Sequence, residues 1–328
     1  MKKNNKFLFN RVFASIFFIS LGISGIAMIY FYCILREITV CDKEQESSFK
    51  LELEEDKMII NVLVLGVDTL DTQFRGRSDS IMVLSLDTRH KKIKATSLMR
   101  DVFVKIPKKN IRKSNLQKME NFAWDRLNAA YPIGGSSLAI ETIERNFGIK
   151  IDRFISIDFI GFEKIIDAAG GISLNLTSSE VAFINKNSKN SSLKGSGVMK
   201  LNGNQALQYA RDRDSIGSDY DRTKRQREVV ASVFKSFKSA NFAEITNVLL
   251  NMAKFVKTNF KTYEIIKLSK NSSKYFSFEI ENFRIPTDDN VKSATIDGKD
   301  VLLINDFKKC RKDISNFVFE DIKSRANK

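Results

Sequence analysis

Met58-Ile-Ile-Asn-Val-Leu-Val-Leu-Gly66 is a near-continuous apolar run, closed by a glycine and followed two positions on by Asp68. A short run of this kind reads as a strand buried inside an α/β sheet. The flanking sequence extends the pattern. Ser80–Leu86 is a second strand, Asp87-Thr-Arg-His-Lys a polar turn, and Ile93–Leu98 a third strand. Helices are expected over Asn121–Ala130 and, capped by Ser136 or Ser137, over Leu138–Asn146. Phe154–Ile157 reads as a strand, Phe162–Ala169 as a helix and Gly171–Leu176 as a strand; Asn185–Ser196 is a polar, mobile loop. Asn202 is placed to cap a helix through Tyr209, and a long helix is expected over Asp221–Phe237. Two or three helices fill Phe242–Asn271, and strands near Phe276–Ile285 and Val301–Ile304 precede a helix from Asp306. Strands alternating with helices imply an α/β fold whose sheet is covered on both faces.

The chain has 328 residues, of which 43% are hydrophobic, but the apolar residues are unevenly spread. Val12–Leu35 is 24 residues long and carries no charge. That suffices to cross a hydrocarbon core of roughly 30 Å as a helix, and it exceeds the apolar region of a cleaved signal peptide. Residues 1–11 carry a charge of +4 and residues 36–57 a charge of −4. Positive flanks stay in the cytoplasm. The expected layout is therefore a cytoplasmic tail (1–11), a retained transmembrane signal anchor (12–35), a stem (36–57) and one external domain (58–328). The two flanks cancel, so the whole +15 falls on the external domain. Outside a membrane a nucleic-acid partner is excluded, and anionic lipids or acidic wall polymers take its place. A single histidine, His90, expected as a solvated turn residue, removes any histidine-based triad. Three cysteines, one of them within the membrane segment, provide no zinc or disulfide framework.

Charged chemistry concentrates in Tyr209–Arg227 (YARDRDSIGSDYDRTKRQR). Arginine carries a planar fork of donors suited to phosphate. At helical spacing Arg222, Arg225 and Gln226 point to one side, and Arg211 and Arg213 share a face only where the backbone is extended or leaving a helix. Lys224 and Arg227 read as solvated helix residues. At the other end of the candidate sheet, Asp68 follows the first strand and Asp79 precedes the second, which brings two carboxylates to one edge. Mg²⁺ takes one or two protein oxygens and the rest from water and phosphate. Arg75, Arg77 and Arg100 lie at the same strand ends, where ligands of α/β sheets collect.

NVLVLGVD (61–68), RGRSDSIMVLSLD (75–87), SLMRDVFVKIP (97–107), RLNAAYPIGG (126–135) and LNGNQALQYARDRDSIGSDYDRTKRQ (201–226) together resemble the LytR–CpsA–Psr family in order and spacing. The resemblance spans about Met58 to Val230 and fades after about residue 240. It implies an α/β/α sandwich with a central mixed sheet and an apolar interior for a polyprenyl chain. It also implies a Mg²⁺-dependent phosphotransferase of the outer membrane surface of a Gram-positive-type bacterium. Such an enzyme moves an anionic glycopolymer, of teichoic acid or capsule type, from a polyprenyl-pyrophosphate carrier to a peptidoglycan hydroxyl. By motif position Asp68 and Asp79 would hold the metal ion. Arg77, Arg100, Arg211, Arg213, Arg222 and Gln226 would grip the pyrophosphate, with Arg225 a neighbour. Asp68, Asp79 or Asp101 would serve as base, unless the metal alone acidifies the hydroxyl. Arg126 stands where the family often has lysine. Two other readings use the same residues: a lipid-pyrophosphate hydrolase and a non-catalytic membrane-bound wall regulator.

Overall fold

The computed structural model describes residues 59–68, 76–107, 122–189, 192–212, 219–240 and 255–326, with 244, 245 and 248 besides. The expected anchor (12–35), the stem, the basic loop over Lys108–Lys118, Arg75 and Arg213 lie outside the described residues. Among the described residues no helix is long and apolar enough to cross a membrane.

The first three strands form as read: β1 (Ile59–Val67), β2 (Ser78–Asp87) and β3 (Lys92–Leu98). With β6 (Arg153–Asp158), β9 (Val256–Thr258) and β10 (Glu279–Ile285) they make a six-stranded sheet ordered β10-β3-β2-β1-β6-β9. The sheet is mixed. β1 is parallel to β6 and β3 to β10, whereas β2 runs antiparallel to both its neighbours. The carboxyl ends of β1, β3, β6 and β10 and the start of β2 therefore share one edge.

The two faces of this sheet differ. Toward α1 (Ala130–Phe147) and α8 (Phe307–Ala326), Leu63, Leu65, Val83 and Ile285 join Leu138, Ile143, Phe147, Ile314 and Val318 in one sealed core. The opposite face carries α5 (Asp219–Ser236) and α6 (Thr262–Lys270). There Val62, Val64, Leu84 and Ile155 are only half-buried. β1 thus alternates buried and half-buried along its length, where a strand buried on both sides was expected. Its continuous hydrophobicity overstates its burial.

A second small core is built from α2 (Phe159–Ala168), the β7–β8 hairpin (Ile172–Leu176, Gly197–Leu201), α3 (Ser178–Asn187) and α4 (Gly203–Arg211). Side-chain caps set the helix starts. Asp158 accepts from the Gly161 amide, and Thr177–Glu180 and Asn202–Gln205 form capping boxes, the last at the expected residue.

Three expectations fail and a fourth, the loop at Asn185–Ser196, is shortened at its start. Asn121–Ala130 is not a helix: β5 (Phe122–Arg126) pairs with β4 (Phe103–Pro107), and Leu127–Ala129 is a 3₁₀ turn. Cross-strand contacts override the helical spacing there, with Phe103 stacked on Trp124 at 5.5 Å between centroids. The loop at Asn185–Ser196 is helical to Asn187, and Asn185 exchanges two hydrogen bonds with the Leu193 backbone. His90 sits in its turn but is not solvated, because its ring Nδ1 lies 2.7 Å from Asp87. The last third contains unforeseen strands, β9 and β11 (Val291–Ile296), the latter paired with β12 (Lys299–Ile304). A short helix α7 (Ser272–Phe276) precedes β10. The Ser136/Ser137 start has a counterpart in Gly135, whose φ of 68° breaks α1 just before those serines.

Candidate active site at the strand ends

Pairing between β1 and β2 slips at the shared edge. Gly66 faces Ser80 and Val67 faces Ser78, so Asp79 is the extra residue of a bulge. Bulges re-aim a side chain. The slip also needs Gly66, where a Cβ would lie 3.0 Å from the Ser80 Cβ. The Asp68 amide donates to the Arg77 carbonyl at 3.0 Å, holding the two carboxylate-bearing segments together.

Arg100 is the hub. Its backbone is fixed from two sides: Met99 donates to Ile285 of β10, and the Asn128 amide donates to the Arg100 carbonyl. Its guanidinium meets Asp79 at 2.5 Å, Asp101 at 3.2 Å and Asp219 at 3.7 Å, with the side chain only 13% exposed. Burial opposes its charge, but Asp79, Asp101 and Asp219 outweigh that and raise its pKa. Two more arginines close the network. Arg126 reaches Asp101 at 3.5 Å, and Arg222 reaches Asp219 at 2.8 Å. Three arginines and three carboxylates interlock, so each guanidinium is pre-positioned by a carboxylate that an incoming phosphate can replace.

The remaining expected residues divide. Gln226 stands over the bulge and accepts from the Ser80 hydroxyl at 3.0 Å, which leaves its NH₂ as a donor. Arg211 is exposed at the end of α4, stacked 4.6 Å from the Phe159 ring just beyond β6. Arg77 is exposed beside Asp68. Arg225 does not join them. It is buried, donating to Glu180 at 3.0 Å and to the Asp212 carbonyl at 2.9 Å, and it bolts α5 to α3 and α4. Lys224 is an exposed partner of Glu228, as read. Arg227 departs from its solvated reading, being half-buried with its Nη1 shielded from solvent.

Two participants escaped the sequence reading as binding residues. Asp219 lies three residues before Arg222 in the first turn of α5, a spacing that was visible. Arg126 stood in a family motif, but its place beside Asp101 depends on the β4–β5 register that replaced the expected helix.

The donor set suits a hard cation in part. Asp68 Oδ1 is buried without a hydrogen-bond partner among the described residues, while Asp79, in the bulge of the neighbouring strand, is paired with Arg100. Among the described residues no group of three or more metal-binding side chains occurs. Two carboxylates fit Mg²⁺, which completes its shell with water and phosphate.

Comparison with known proteins identifies the family and the fold. The family model described as the LytR_cpsA_psr family matches residues 28–311. A curated relative from Bacillus cereus, the polyisoprenyl-teichoic acid–peptidoglycan teichoic acid transferase TagU, is 30% identical over 291 residues, covering 83% of this chain and 88% of its own. The crystal structure of Bacillus subtilis TagV, 26% identical, superposes with a TM-score of 0.62 over 80% of this chain and 98% of its own. YwtF (TagT) of Bacillus subtilis with bound octaprenyl pyrophosphate lipid has the same fold at 22% identity, with a TM-score of 0.61 over 82% of this chain and 94% of its own. The chain belongs to the LytR–CpsA–Psr family.

Proposed function

We propose that this protein is a phosphotransferase that moves an anionic glycopolymer from a polyprenyl-pyrophosphate carrier to a peptidoglycan hydroxyl. The observation that carries the reading is Arg100, held by three carboxylates at the strand ends next to a half-buried apolar sheet face. The activity named for TagU and the octaprenyl pyrophosphate held by TagT support it.

The chemistry follows from charge. The donor contains two phosphoryl groups in series, and bond energy arrives with it, since no nucleotide is at hand outside a membrane. The acceptor oxygen forms a bond to the phosphorus that carries the polymer. The bond from that phosphorus to the bridging oxygen breaks, and polyprenyl phosphate leaves with the electron pair. Arg100, Arg222 and Gln226 hold the non-bridging oxygens, and Arg77 and Arg211 approach from the rim; Arg213, outside the described residues, joins them by motif position only. Such transfer depends mainly on positioning and on stabilising charge. The acceptor's proton passes to one of the carboxylates Asp68, Asp79 or Asp101. Asp68 and Asp79 would hold Mg²⁺, which when bound supplies neutralisation of the pyrophosphate charge.

In this reading residues 12–35 anchor the chain, with the N-terminus in the cytoplasm and residues 58–328 outside as one catalytic domain. The anchor confines enzyme and lipid donor to one surface. Val62, Val64, Leu84 and Ile155, with part of Phe154–Leu176 and Val229–Phe237, line the path of the polyprenyl chain. Teichoic acid and capsule polymers both satisfy the donor chemistry.

Full-length protein incubated with lipid-linked polymer, peptidoglycan and Mg²⁺ tests this. Wall-linked polymer is expected, with the yield falling on chelation and in Arg100→Ala. Release of free polymer phosphate without wall-linked product would identify a hydrolase, and no turnover at all would leave the regulator.

A further inference from the structure

Beside the Arg100 network lies a second pair of arginines that the transfer reaction as described does not use. Arg284 is the penultimate residue of β10 and pairs in register with Ser97 of β3. It therefore sits one strand over and three residues back from Arg100, on the order of 10 Å along the strand. Its guanidinium lies 4.0 Å from the ring centroid of Tyr220, on α5. Arg227 is seven residues along the same helix from Tyr220, on the same side. The two guanidinium groups are close enough to oppose each other. Burial and then the charge of Arg284 lower the Arg227 pKa, with Glu228 giving partial relief.

Two arginines are seldom brought together under a helix for stability. Arg284 Nη2 donates to Asp288 at 2.6 Å, but that carboxylate is 83% exposed. The Nη1 atoms of both Arg227 and Arg284 are buried, and neither has a partner among the described residues. The Ser97 hydroxyl, on the same sheet face as Arg284, is also buried and without one. Two guanidinium nitrogens and a hydroxyl are thus buried on the β10–β3 side of α5, none with a partner among the described residues. Buried donors require acceptors, and paired guanidinium forks match the oxygens of a phosphate.

We propose that Arg227, Arg284 and Ser97 form a second phosphate-binding subsite, which takes a phosphate group of the polyanionic glycopolymer whose pyrophosphate end lies at Arg100. The polymer is favoured over a membrane head group by place. Arg227 shares α5 with Arg222 and Gln226, and the pair lies within reach of a donor already held at the strand ends. This assignment rests on the proposed transfer reaction for the identity of its ligand, but the phosphate chemistry stands on its own residues. It would let the enzyme prefer phosphate-bearing polymers to neutral glycans.

The test uses the full-length chain in detergent, with a short poly(glycerol phosphate) oligomer as probe and an uncharged glycan of similar size as control. The oligomer is expected to raise Tm in wild type and still to do so in Arg100→Ala, while the glycan has no effect. Arg227→Gln and Arg284→Lys should each weaken oligomer binding about tenfold, the loss of one charge-assisted bond. In phosphate-free buffer Arg227→Gln should melt at or above the wild-type temperature, since it removes an unsatisfied charge. Unchanged oligomer affinity in both variants overturns the subsite. So does a marked fall in stability or failure to fold of Arg227→Gln, which would make that residue structural. Binding to phosphatidylglycerol vesicles but not to the oligomer would assign the pair to the membrane instead. Oligomer binding by wild-type protein that shows no transfer would refute the transfer reading while leaving the subsite standing.

Discussion

The two faces of the central sheet are built from the same strands and closed by different means. Toward α1 and α8 the contacts are hydrocarbon: Leu63, Leu65, Leu138, Ile143 and Val318 are sealed from solvent. Toward α5 and α6 the helices are located by polar bolts. Ser80 donates to Gln226, Ser232 donates to the Ser173 carbonyl, and Arg153 makes two bonds to Glu264 at 2.9 and 2.5 Å. A small apolar cluster accompanies the bolts, with Val62 and Ile155 packed against Phe260 and Ile265, but it leaves those strand residues half-buried. Half-burial of this kind is what a site for a removable hydrocarbon chain requires.

The largest effect should come from breaking a bolt. Glu264→Ala takes from the buried Arg153 its carboxylate partner, and urea unfolding should report a loss of about 3–5 kcal/mol. A loss no larger than that of an exposed ion pair would mean that α6 is held by packing after all. Next, Arg100→Ala should lower the transfer rate about 10²–10³-fold, as does loss of one preorganised donor to developing charge. An unchanged rate would separate the carboxylate–arginine network from the chemistry.

The sealed face makes its own prediction through Cys310, buried at the start of α8. Burial, then Asp313, push its thiol up to about 11 from an ordinary value of 9.0, against a hydrogen bond donated by Asn290. The folded state thus holds the proton more tightly than the unfolded state. Its contribution is complete below pH 9 and is lost as pH rises through 11. At about 1.4 kcal/mol per unit the loss reaches at most about 3 kcal/mol. Stability measured from pH 8 to 11 should show this slope, and Cys310→Ala should abolish it. The smallest effect is expected at the bulge. Gly66→Ala forces the Ser80 side chain to shift, disturbing its bond to Gln226, and should cost about 1 kcal/mol of transition-state stabilisation, a few-fold in rate. Global stability should move less than the rate.

The same contrast explains what was legible in the sequence. Strands β1 to β3, the Asn202 cap and the carboxylates at the strand ends follow from local pattern, and the structure has them. Hydrophobicity does not report which face of a strand meets a helix and which meets a cleft, so β1 read as buried on both sides. Arg225 and Arg227 carry the same charge two positions apart, yet one bolts three helices and the other faces Arg284. Only the register of distant elements separates them. The β4–β5 pairing that places Arg126 beside Asp101 has the same origin.

Everything in the transfer turns on which bond breaks. A lipid-linked polymer carrying ³²P only in the phosphoryl group attached to the polymer, given to the full-length protein with peptidoglycan, tests it directly. The label is expected to become wall-bound in a phosphodiester while unlabelled polyprenyl phosphate is released. Label released with the lipid, or as soluble polymer phosphate, would contradict it.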